Sequence, residues 1–361
     1  MLSRRLSRLG VALPMPRPTQ TQTQQHLRRI TTKAVTAQEA ADQLKRTFYG
    51  KTITRKQILD GNQLQKLSLT LGRTHLWPDL DVTRGSAPVG TPLPPGYHLV
   101  YFTPSEMEMD LGPDGSDRTF NPPAPFTRRM WAGGRMQWFD VPLRIGERVE
   151  EHTRLVSSTV KKSRDGSEMV LVEVEKEFWG ERGPSTFDQR AWIYRREVEA
   201  KPFQASGPVQ PPTPAKSSVQ DVTASDPEAF LERHLSWSPA ALFRFSALTF
   251  NAHMIHYNEG WTRNVEGHPN VVVHGPLNLV CMADYWRDVH SDGSPYDVGR
   301  LNEITYRATA PIYAGEEYTI TSSVPEEGGA VGTKGLTRQD ISIRKAGTVC
   351  MTAECRAGRY I

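Results

Sequence analysis

The chain has 361 residues, of which 37% are hydrophobic and 23% charged, with a formal net charge of +4. This length can bury a sizeable core and predicts two domains of ordinary size. The composition excludes disorder of the whole chain. No apolar run is long enough for a membrane-spanning helix, so no membrane span is expected.

The basic charge is concentrated at the start of the chain. Residues 1–38 hold seven Lys or Arg and no acid. Because no basic stripe with interleaved aromatics stands out elsewhere, nucleic acid is not an expected partner. Leu2, Leu6 and Leu9 have helical spacing with arginines between them. This composition predicts a mitochondrial transit peptide over residues 1–35 and a location in the mitochondrial matrix, the alternative being a basic tail without an address.

The first half, residues 40–200, combines a helical stretch with alternating segments. Apolar spacing predicts a helix within 55–73. Asp165-Gly166, between two alternating runs, predicts a tight hairpin turn. The predicted strands of this half are 149–163, 168–181 and 185–197.

A boundary and a second set of elements follow. Residues 201–227 are rich in Pro, Ser and Ala and lack a hydrophobic period, which predicts a linker. The second half, residues 228–361, begins with a predicted helix near 228–250 and continues with a strand that runs into a helix over 271–289. The strands predicted after that helix are 301–311, 316–325, 336–347 and 348–357.

Cysteine usage is sparse. The chain has three cysteines and no CxxC pair, which excludes a disulfide framework and a zinc ribbon. Cys350 and Cys355 lie five apart on a predicted strand, so we expect them on opposite faces, as small packing residues.

The two halves share a motif as well as an order of elements. Residues 142–147 and 311–316 both read PxxxGE, and each motif is followed by an alternating strand, a turn with Gly and a long strand. We interpret this as an internal duplication. The alternative is chance recurrence of turn residues at strand entries. A helix followed by an antiparallel meander, twice, predicts an α+β fold with the helices on one face of each sheet.

The segment FNAHMIHYNEG, residues 250–260, contains three side chains that can transfer or orient protons: Asn251, His253 and His256. Asn251 and His256 are five apart, so a loop or a helix end is needed to bring them together. Two other interpretations stay open, a structural histidine cluster and a metal site. The ligands of such a metal site would be His253, His256, His268 and His274.

His274-Gly275-Pro276 marks the start of a predicted helix. Pro276 suits the first helical turn, and Gly275 leaves the backbone before it uncovered. An exposed N–H at the positive end of a helix is suited to a carbonyl oxygen that gains negative charge. His274 could cap this helix, hold Asn251 or contact a substrate.

The pattern F-N-x-H-x-I-H-Y, followed by V-V-H-G-P-L, resembles the MaoC-like, or type 2, hydratases and dehydratases of the hotdog superfamily. Within that branch it is most similar to the mitochondrial type 2 3-hydroxyacyl-thioester dehydratases and the mesaconyl-CoA hydratases. The resemblance implies a double hotdog, in which each repeat is an antiparallel sheet wrapped on a long central helix. It makes residues 40–200 a degenerate repeat and residues 228–361 the catalytic one.

The same resemblance implies a reversible (R)-3-hydroxyacyl-thioester dehydratase of mitochondrial fatty acid synthesis, with no cofactor and no metal. The expected partner is an acyl thioester on acyl carrier protein or CoA, and a homo-oligomer is a further expectation. The family's motif D-x-N-P-L-H aligns its Asp with Asn251, its Asn with His253 and its His with His256.

The alignment therefore implies a role for each residue. His256 is the general acid/base, Asn251 orients water, and the Gly275 N–H polarises the thioester carbonyl. The further candidate substrate contacts are His253, Tyr257, Arg263 and His274.

Other functions stay open. A hydratase for a short dicarboxylic ester, such as mesaconyl- or itaconyl-CoA, would be favoured by an arginine aimed into the acyl pocket, and Arg244 and Arg263 are candidates. Thioester hydrolysis is a third possibility, and an inactive acyl-thioester binding protein is a fourth. In the first repeat, residues 96–104 carry no dyad and are expected to house the acyl chain.

Overall fold

The computed structural model describes residues 35–197, 216–223, 231–291, 301–327 and 336–358. Residues 1–34 of the predicted transit peptide and much of the predicted linker lie outside these ranges. In the described part, the helices are α1 (Ala37–Phe48), α2 (Gly61–Thr70), α3 (Pro239–Leu248), α4 (Glu259–Asn264) and α5 (Gly275–His290). None of them is long and apolar enough to cross a membrane.

The strands of the first half are β1 (Thr52–Ile58), β2 (His75–Trp77), β3 (Leu80–Asp81), β4 (Arg128–Trp138), β5 (Arg148–Lys162), β6 (Glu168–Gly180) and β7 (Gly183–Arg195). Those of the second half are β8 (Ser218–Val222), β9 (Glu232–Ser236), β10 (Leu301–Ala308), β11 (Tyr318–Ser322), β12 (Glu326–Glu327), β13 (Leu336–Lys345) and β14 (Thr348–Gly358). The predicted hairpin at Asp165-Gly166 joins β5 to β6, and Gly166 takes the left-handed conformation that this turn requires, at φ 82°.

One twelve-stranded antiparallel sheet carries both halves of the chain. The order β1-β5-β6-β7-β4 continues directly into β10-β14-β13-β11-β9-β8, and β12 pairs with β13. The first five strands and the next five are mirrored about the β4–β10 junction, which is itself antiparallel. The halves are therefore related by an approximate two-fold, and the predicted α+β double hotdog is confirmed. Strand β8 lies within the predicted linker and pairs with β9.

The two PxxxGE turns have the same hydrogen bonds. Gly146 and Gly315 adopt φ angles of 90° and 82°, which favour glycine. The carboxylates of Glu147 and Glu316 each accept a hydrogen bond from the backbone N–H three residues earlier, at 3.0 and 2.8 Å. The motif is therefore a turn held by its own glutamate, once in each half.

Each turn also bridges to one extended segment. Pro92 forms an isolated antiparallel bridge with Arg144, and Val272 forms the equivalent bridge with Tyr313. The hydrogen bonds beside the two bridges agree within 0.1 Å, with pairs at 2.8 and 2.9 Å in both halves. This correspondence confirms the duplication and aligns the two halves residue by residue.

Two predicted helices begin later than expected. The interval 55–73 starts as β1 and becomes helical only after Asp60, whose side chain accepts the N–H of Gln63 at 2.8 Å. The interval 228–250 contains β9, and α3 starts after Ser238, which caps it in the same way. The residues before each cap belong to the sheet because they pair with β5 and β11.

The long central helix occurs in the second repeat. Every residue of α5 from Leu277 to Arg287 is buried, as expected for a helix wrapped by a sheet. The first repeat has a short 3₁₀ turn, Tyr97–Val100, at the equivalent place. Gly96 and Phe102, at φ 84° and 52°, flank it and prevent a helix from continuing in either direction. Tyr97 and residues 99–102 belong to the hydrophobic core, and His98 lines a small cavity. The role of residues 96–104 in housing the acyl chain stays a prediction.

Helix α1, which was not predicted, packs on the first sheet instead. A capping box between Thr36 and Glu39 starts it. Its small buried face, Ala37, Ala40, Ala41 and Leu44, belongs to one core cluster with Val170, Val172 and Val174 of β6. The alternation of β6 therefore directs its valines toward α1, which precedes the strands of the sheet in the chain.

The expectation for the cysteines is wrong in one respect. Cys350 and Cys355 are both buried, with exposures of 2% and 1%. Consecutive residues of β13 pair with Val349 and Met351, so Cys350 is the extra residue of a β-bulge. The bulge shifts the alternation by one, and the packing role remains.

Helices α2 and α3 end in turns of the same type, but the residue with positive φ differs between them. Phe250 follows α3 at φ 48°, and its counterpart after α2 is Gly72 at φ 77°. The next residue in each half, Asn251 or Arg73, donates its N–H back to the helix at 2.9 Å. A bulky residue thus occupies a conformation that glycine adopts at lower cost.

We expect Phe250→Gly to leave the free energy of unfolding unchanged or to raise it by up to about 1 kcal/mol. The ring is 63% exposed, and relief of left-handed strain offsets the flexibility of glycine. Phe250→Val should lower it by about 1 kcal/mol or more, since β-branching worsens the strain. Urea denaturation measures both. A glycine variant clearly less stable than wild type would show that contacts of the ring outweigh the strain.

Candidate active site

Asn251 lies in the loop that the sequence spacing required. Its N–H donates to the Ser246 carbonyl at 2.9 Å, which fixes the backbone after α3. Its side-chain oxygen accepts the N–H of His253 at 3.2 Å. Because an amide oxygen is used in this contact, the NH₂ group is the part of the side chain that can donate to a ligand. A 3₁₀ turn, Met254–His256, follows.

His256 has a defined tautomer. It is buried, and its Nδ1 lies 2.8 Å from the carbonyl oxygen of Val272. A carbonyl only accepts, so Nδ1 carries the proton, and Nε2 of the neutral ring has a free lone pair. The ring stacks on His274 at 3.6 Å between centroids and meets His253 edge-on at 5.6 Å. Three of the predicted residues thus converge.

All three histidines are held neutral. Burial lowers the pKa of His256 to about 3, and the neighbouring His253 contributes further. Burial likewise lowers the pKa of His253 to about 3, with Arg129 adding to the effect, and lowers that of His274 well below its usual range. In the part of the chain that the structure describes, no three metal-ligating side chains are grouped to hold an ion.

His274 and Gly275 begin α5, as predicted. The side chain of His274 does not cap the helix; its Nε2 pairs with the hydroxyl of Ser246 at 2.9 Å. A Cβ on Gly275 would lie 2.9 Å from Cγ of Trp131, so the close approach of this indole requires glycine. Trp131 belongs to β4 of the first repeat, so its indole covers the backbone at the start of α5 that was predicted to be uncovered.

The remaining predicted contacts have other partners. The hydroxyl of Tyr257, a residue 44% exposed, donates to the Ala252 carbonyl at 3.2 Å. Arg263 pairs with Glu259 at 2.7 Å along α4. Arg244 is exposed on α3. The structure therefore brings His253, His256 and His274 together. Tyr257 and Arg263 instead contact residues of their own segments.

Asp114, which was not predicted, reaches the site from the first repeat. Its Oδ2 lies 3.4 Å from Nε2 of His253, and its carbonyl accepts the N–H of Met254 at 2.8 Å. The next residue, Gly115, approaches so closely that a Cβ would lie 2.1 Å from the Ala252 carbonyl oxygen. In sequence, Asp114 sits in GPDGS, which indicates a turn and nothing more.

The first repeat keeps the framework of the site with different side chains. Trp77 donates its indole N–H to the Pro92 carbonyl at 3.3 Å, as His256 does to the equivalent Val272 carbonyl. Arg73 occupies the place of Asn251. An indole cannot exchange its proton in the physiological range, so the counterpart of His256 in this half cannot act as an acid or base.

A cavity of about 390 Å³ borders the site on the side of the first repeat. Its wall includes α1 and several residues of the segment between 112 and 127, among them Asp114 and Arg118. Asp114 lines this cavity and also lies 3.4 Å from His253, so it belongs both to the cavity wall and to the surroundings of the histidines.

Comparison with known proteins identifies similar sequences. A family model described as hydroxyacyl-thioester dehydratase type 2 matches residues 96–314. The mesaconyl-C(4)-CoA hydratase of Chloroflexus aurantiacus is 33% identical over 237 residues, covering 65% of this chain and 76% of that protein. A mitochondrial hydroxyacyl-thioester dehydratase type 2 of Schizosaccharomyces pombe is 28% identical over 245 residues, covering 64% and 78%.

Solved structures show the same fold at low identity. A MaoC-like dehydratase aligns with a TM-score of 0.61 and 13% identity, covering 88% of this chain and 100% of the other. A MaoC-like dehydratase of Phytophthora capsici aligns with a TM-score of 0.57 and 15% identity, covering 88% and 97%. At these identities, the alignments support the fold alone.

We expect stability to fall as the pH drops below about 6.5, the pKa of an unfolded histidine. In that range the histidines of the unfolded chain take up protons, whereas the buried histidines of the folded chain stay neutral. The free energy of unfolding therefore falls by about 1.4 kcal/mol per pH unit for each such histidine. His253→Gln should flatten the slope, because one such group is removed. Urea denaturation at several pH values between 7.5 and 5 measures it. An unchanged slope in this variant would contradict a neutral buried His253.

Proposed function

The chain belongs to the hydroxyacyl-thioester dehydratase type 2 family and is a hydro-lyase, and we propose that it is an (R)-3-hydroxyacyl-thioester dehydratase of mitochondrial fatty acid synthesis. One observation carries the assignment of the site. The bond from His256 Nδ1 to the Val272 carbonyl leaves Nε2 as a neutral proton acceptor beside the start of α5. That is the arrangement a reversible hydration needs.

The reaction moves one proton through His256. In the hydration direction, Nε2 takes a proton from water as the water oxygen bonds to C3 of the enoyl group. The same proton then passes from Nε2 to C2, and the second hydrogen of the water stays on the new hydroxyl. The NH₂ group of Asn251 donates to the water oxygen and orients it. Dehydration runs through the same steps in reverse.

The thioester carbonyl is polarised at the start of α5. The first N–H groups of a helix have no partner within it and carry the positive end of its dipole. Negative charge develops on the carbonyl oxygen when C3 is attacked, so an N–H at Gly275 stabilises the transition state more than the ground state. The position of Gly275 at the first residue of α5 supports this placement.

The substrate reaches the site as a thioester of CoA or of acyl carrier protein. The cavity beside Asp114 receives part of it, and the second repeat, residues 228–361, supplies the reacting groups. The first repeat, residues 40–200, acts by covering the site. The basic, acid-free segment over residues 1–35 and the mitochondrial relative of fission yeast support import into the matrix.

A second candidate is a hydratase for mesaconyl-CoA or a similar dicarboxylic ester. The observation in its favour is the 33% identity to a mesaconyl-C(4)-CoA hydratase. Of the two arginines considered for its free carboxylate, Arg244 is exposed and Arg263 pairs with Glu259. Neither arginine therefore supports a pocket for a second carboxylate, so we place the dehydratase with a monocarboxylic acyl substrate first.

We expect the purified protein to hydrate crotonyl-CoA, and Asn251→Ala and His256→Ala each to lower kcat/KM by about 100-fold or more, because each removes a group that handles the water or its proton. Loss of absorbance by the enoyl thioester measures the rate. His152→Ala, on β5 and bonded to Glu150, is the control and should keep wild-type activity. Full activity in His256→Ala would remove the proposed mechanism.

The same assay with mesaconyl-CoA separates the candidates. A kcat/KM for crotonyl-CoA above that for mesaconyl-CoA by about 10-fold supports the first, and the reverse ratio supports the second. Release of free CoA thiol would indicate hydrolysis. Activity toward neither ester, with retained binding, would leave an acyl-thioester binding protein.

We expect residues 1–38 fused to a fluorescent protein to carry it into the mitochondrial matrix, because arginines on an amphipathic segment without acids are typical of such addresses. Replacement of Arg4, Arg5 and Arg8 by Glu should leave the reporter in the cytosol. Fluorescence microscopy with a matrix marker reads the result. A wild-type fusion that stays cytosolic would support a basic tail with no address.

A further inference from the structure

We propose that Asp114, supplied by the first repeat, is a positioning residue for the reaction of the second. It places a carboxylate beside the histidine cluster, 3.4 Å from Nε2 of His253. The inference rests on the proposed hydratase activity and concerns the same site.

The carboxylate of Asp114 is fixed in place. The residue is 8% exposed. Its Oδ1 accepts the backbone N–H of Ser116 at 2.9 Å and the hydroxyl of Ser116 at 2.7 Å. This leaves Oδ2 to face Nε2 of His253 at 3.4 Å. The two groups are close enough for an electrostatic interaction between the repeats.

The backbone holds the two repeats together at this point. Met254, the residue after His253, donates its N–H to the Asp114 carbonyl at 2.8 Å. Gly115, at φ 79°, lies so close to the Ala252 carbonyl that no larger residue fits. The separation between Asp114 and His253 is therefore set by the main chain on both sides rather than by flexible side chains.

The charge of Asp114 meets a need of the mechanism. Burial, the neighbouring His253 and the charge of Arg129 all disfavour a positive ring on His256. The ring nevertheless becomes an imidazolium when Nε2 takes the proton of water, and a buried charge without a counter-ion is costly. The family's motif has Asp where this chain has Asn251. Asp114 supplies a carboxylate one imidazole away from His256, through His253.

The degenerate half shows the same exchange between repeats. Arg73, the counterpart of Asn251, contacts Asp284 at 3.5 Å and Asp288 at 2.7 Å, and both acids belong to α5 of the other repeat. Each half-site thus receives carboxylate from the opposite repeat. In the first half an arginine neutralises that charge, whereas in the second half Asp114 faces a neutral histidine.

Asp114→Asn tests the proposal with little change in volume. The amide oxygen can still accept from Ser116, while an uncharged NH₂ group replaces the carboxylate oxygen that faces His253. We expect kcat to fall by about 10- to 100-fold with KM changed by less than about 3-fold, since chemistry rather than binding is affected.

A double-mutant cycle with His253→Gln tests whether Asp114 affects catalysis through His253. If Asp114 acts through His253, the double variant should be no slower than His253→Gln alone. Independent, multiplying losses would overturn this route. Asp284→Asn is the matched control, because it removes a buried carboxylate from the first half-site; it should lower stability and keep kcat.

Asp114→Glu serves if the asparagine variant does not fold. It keeps the charge but displaces it by one methylene, and we expect a lower kcat at unchanged KM; an unchanged kcat overturns the proposal. A wild type inert toward crotonyl-CoA and mesaconyl-CoA removes the proposed function and this inference together. An active wild type with an equally active Asp114→Asn removes this inference alone.

Discussion

The backbone of Val272 is the constraint on which the site depends. Its segment bridges to Tyr313 in the second PxxxGE turn, and its N–H donates to the Ile255 carbonyl at 2.8 Å. Its carbonyl accepts Nδ1–H of His256 at 2.8 Å. Val272 thus connects the second PxxxGE turn to the 3₁₀ segment and also fixes the tautomer of His256. Because a carbonyl has no second protonation state, His256 Nε2 stays a proton acceptor wherever the ring is neutral.

The same framework with different side chains explains how the two repeats came to differ. In the first half the equivalent carbonyl, that of Pro92, accepts the indole N–H of Trp77, which cannot act as an acid or base there. This half also lacks a long central helix, so the chain after Val100 continues mainly as loop toward β4. That loop carries Asp114 to the opposite half-site, and β4 brings Trp131 onto Gly275. Loss of the helix and completion of the second site are thus consequences of one change in path.

Features set by neighbours in sequence could be predicted, and features set by distant contacts could not. The hairpin at Asp165-Gly166 and the start of α5 follow from turn chemistry and helix-start residues. The late starts of α2 and α3 follow from strand pairing, which overrides helical spacing. The burial of Cys350 depends on a bulge that no pattern marks. Asp114 was missed because its contact with His253 joins residues far apart in the sequence, while its local sequence indicates only a turn.

The exchange of Asp for Asn at residue 251 has an electrostatic reason if Asp114 acts as proposed. Two carboxylates in one buried site raise the pKa of one of them, so that one takes up a proton and no longer accepts from water. With Asp114 in contact with His253, an uncharged amide at residue 251 avoids this repulsion and still donates to the water oxygen. The departure from the D-x-N-P-L-H pattern is then a relocation: the carboxylate moves from the loop of the second repeat to the loop of the first, and the catalytic site becomes a property of both.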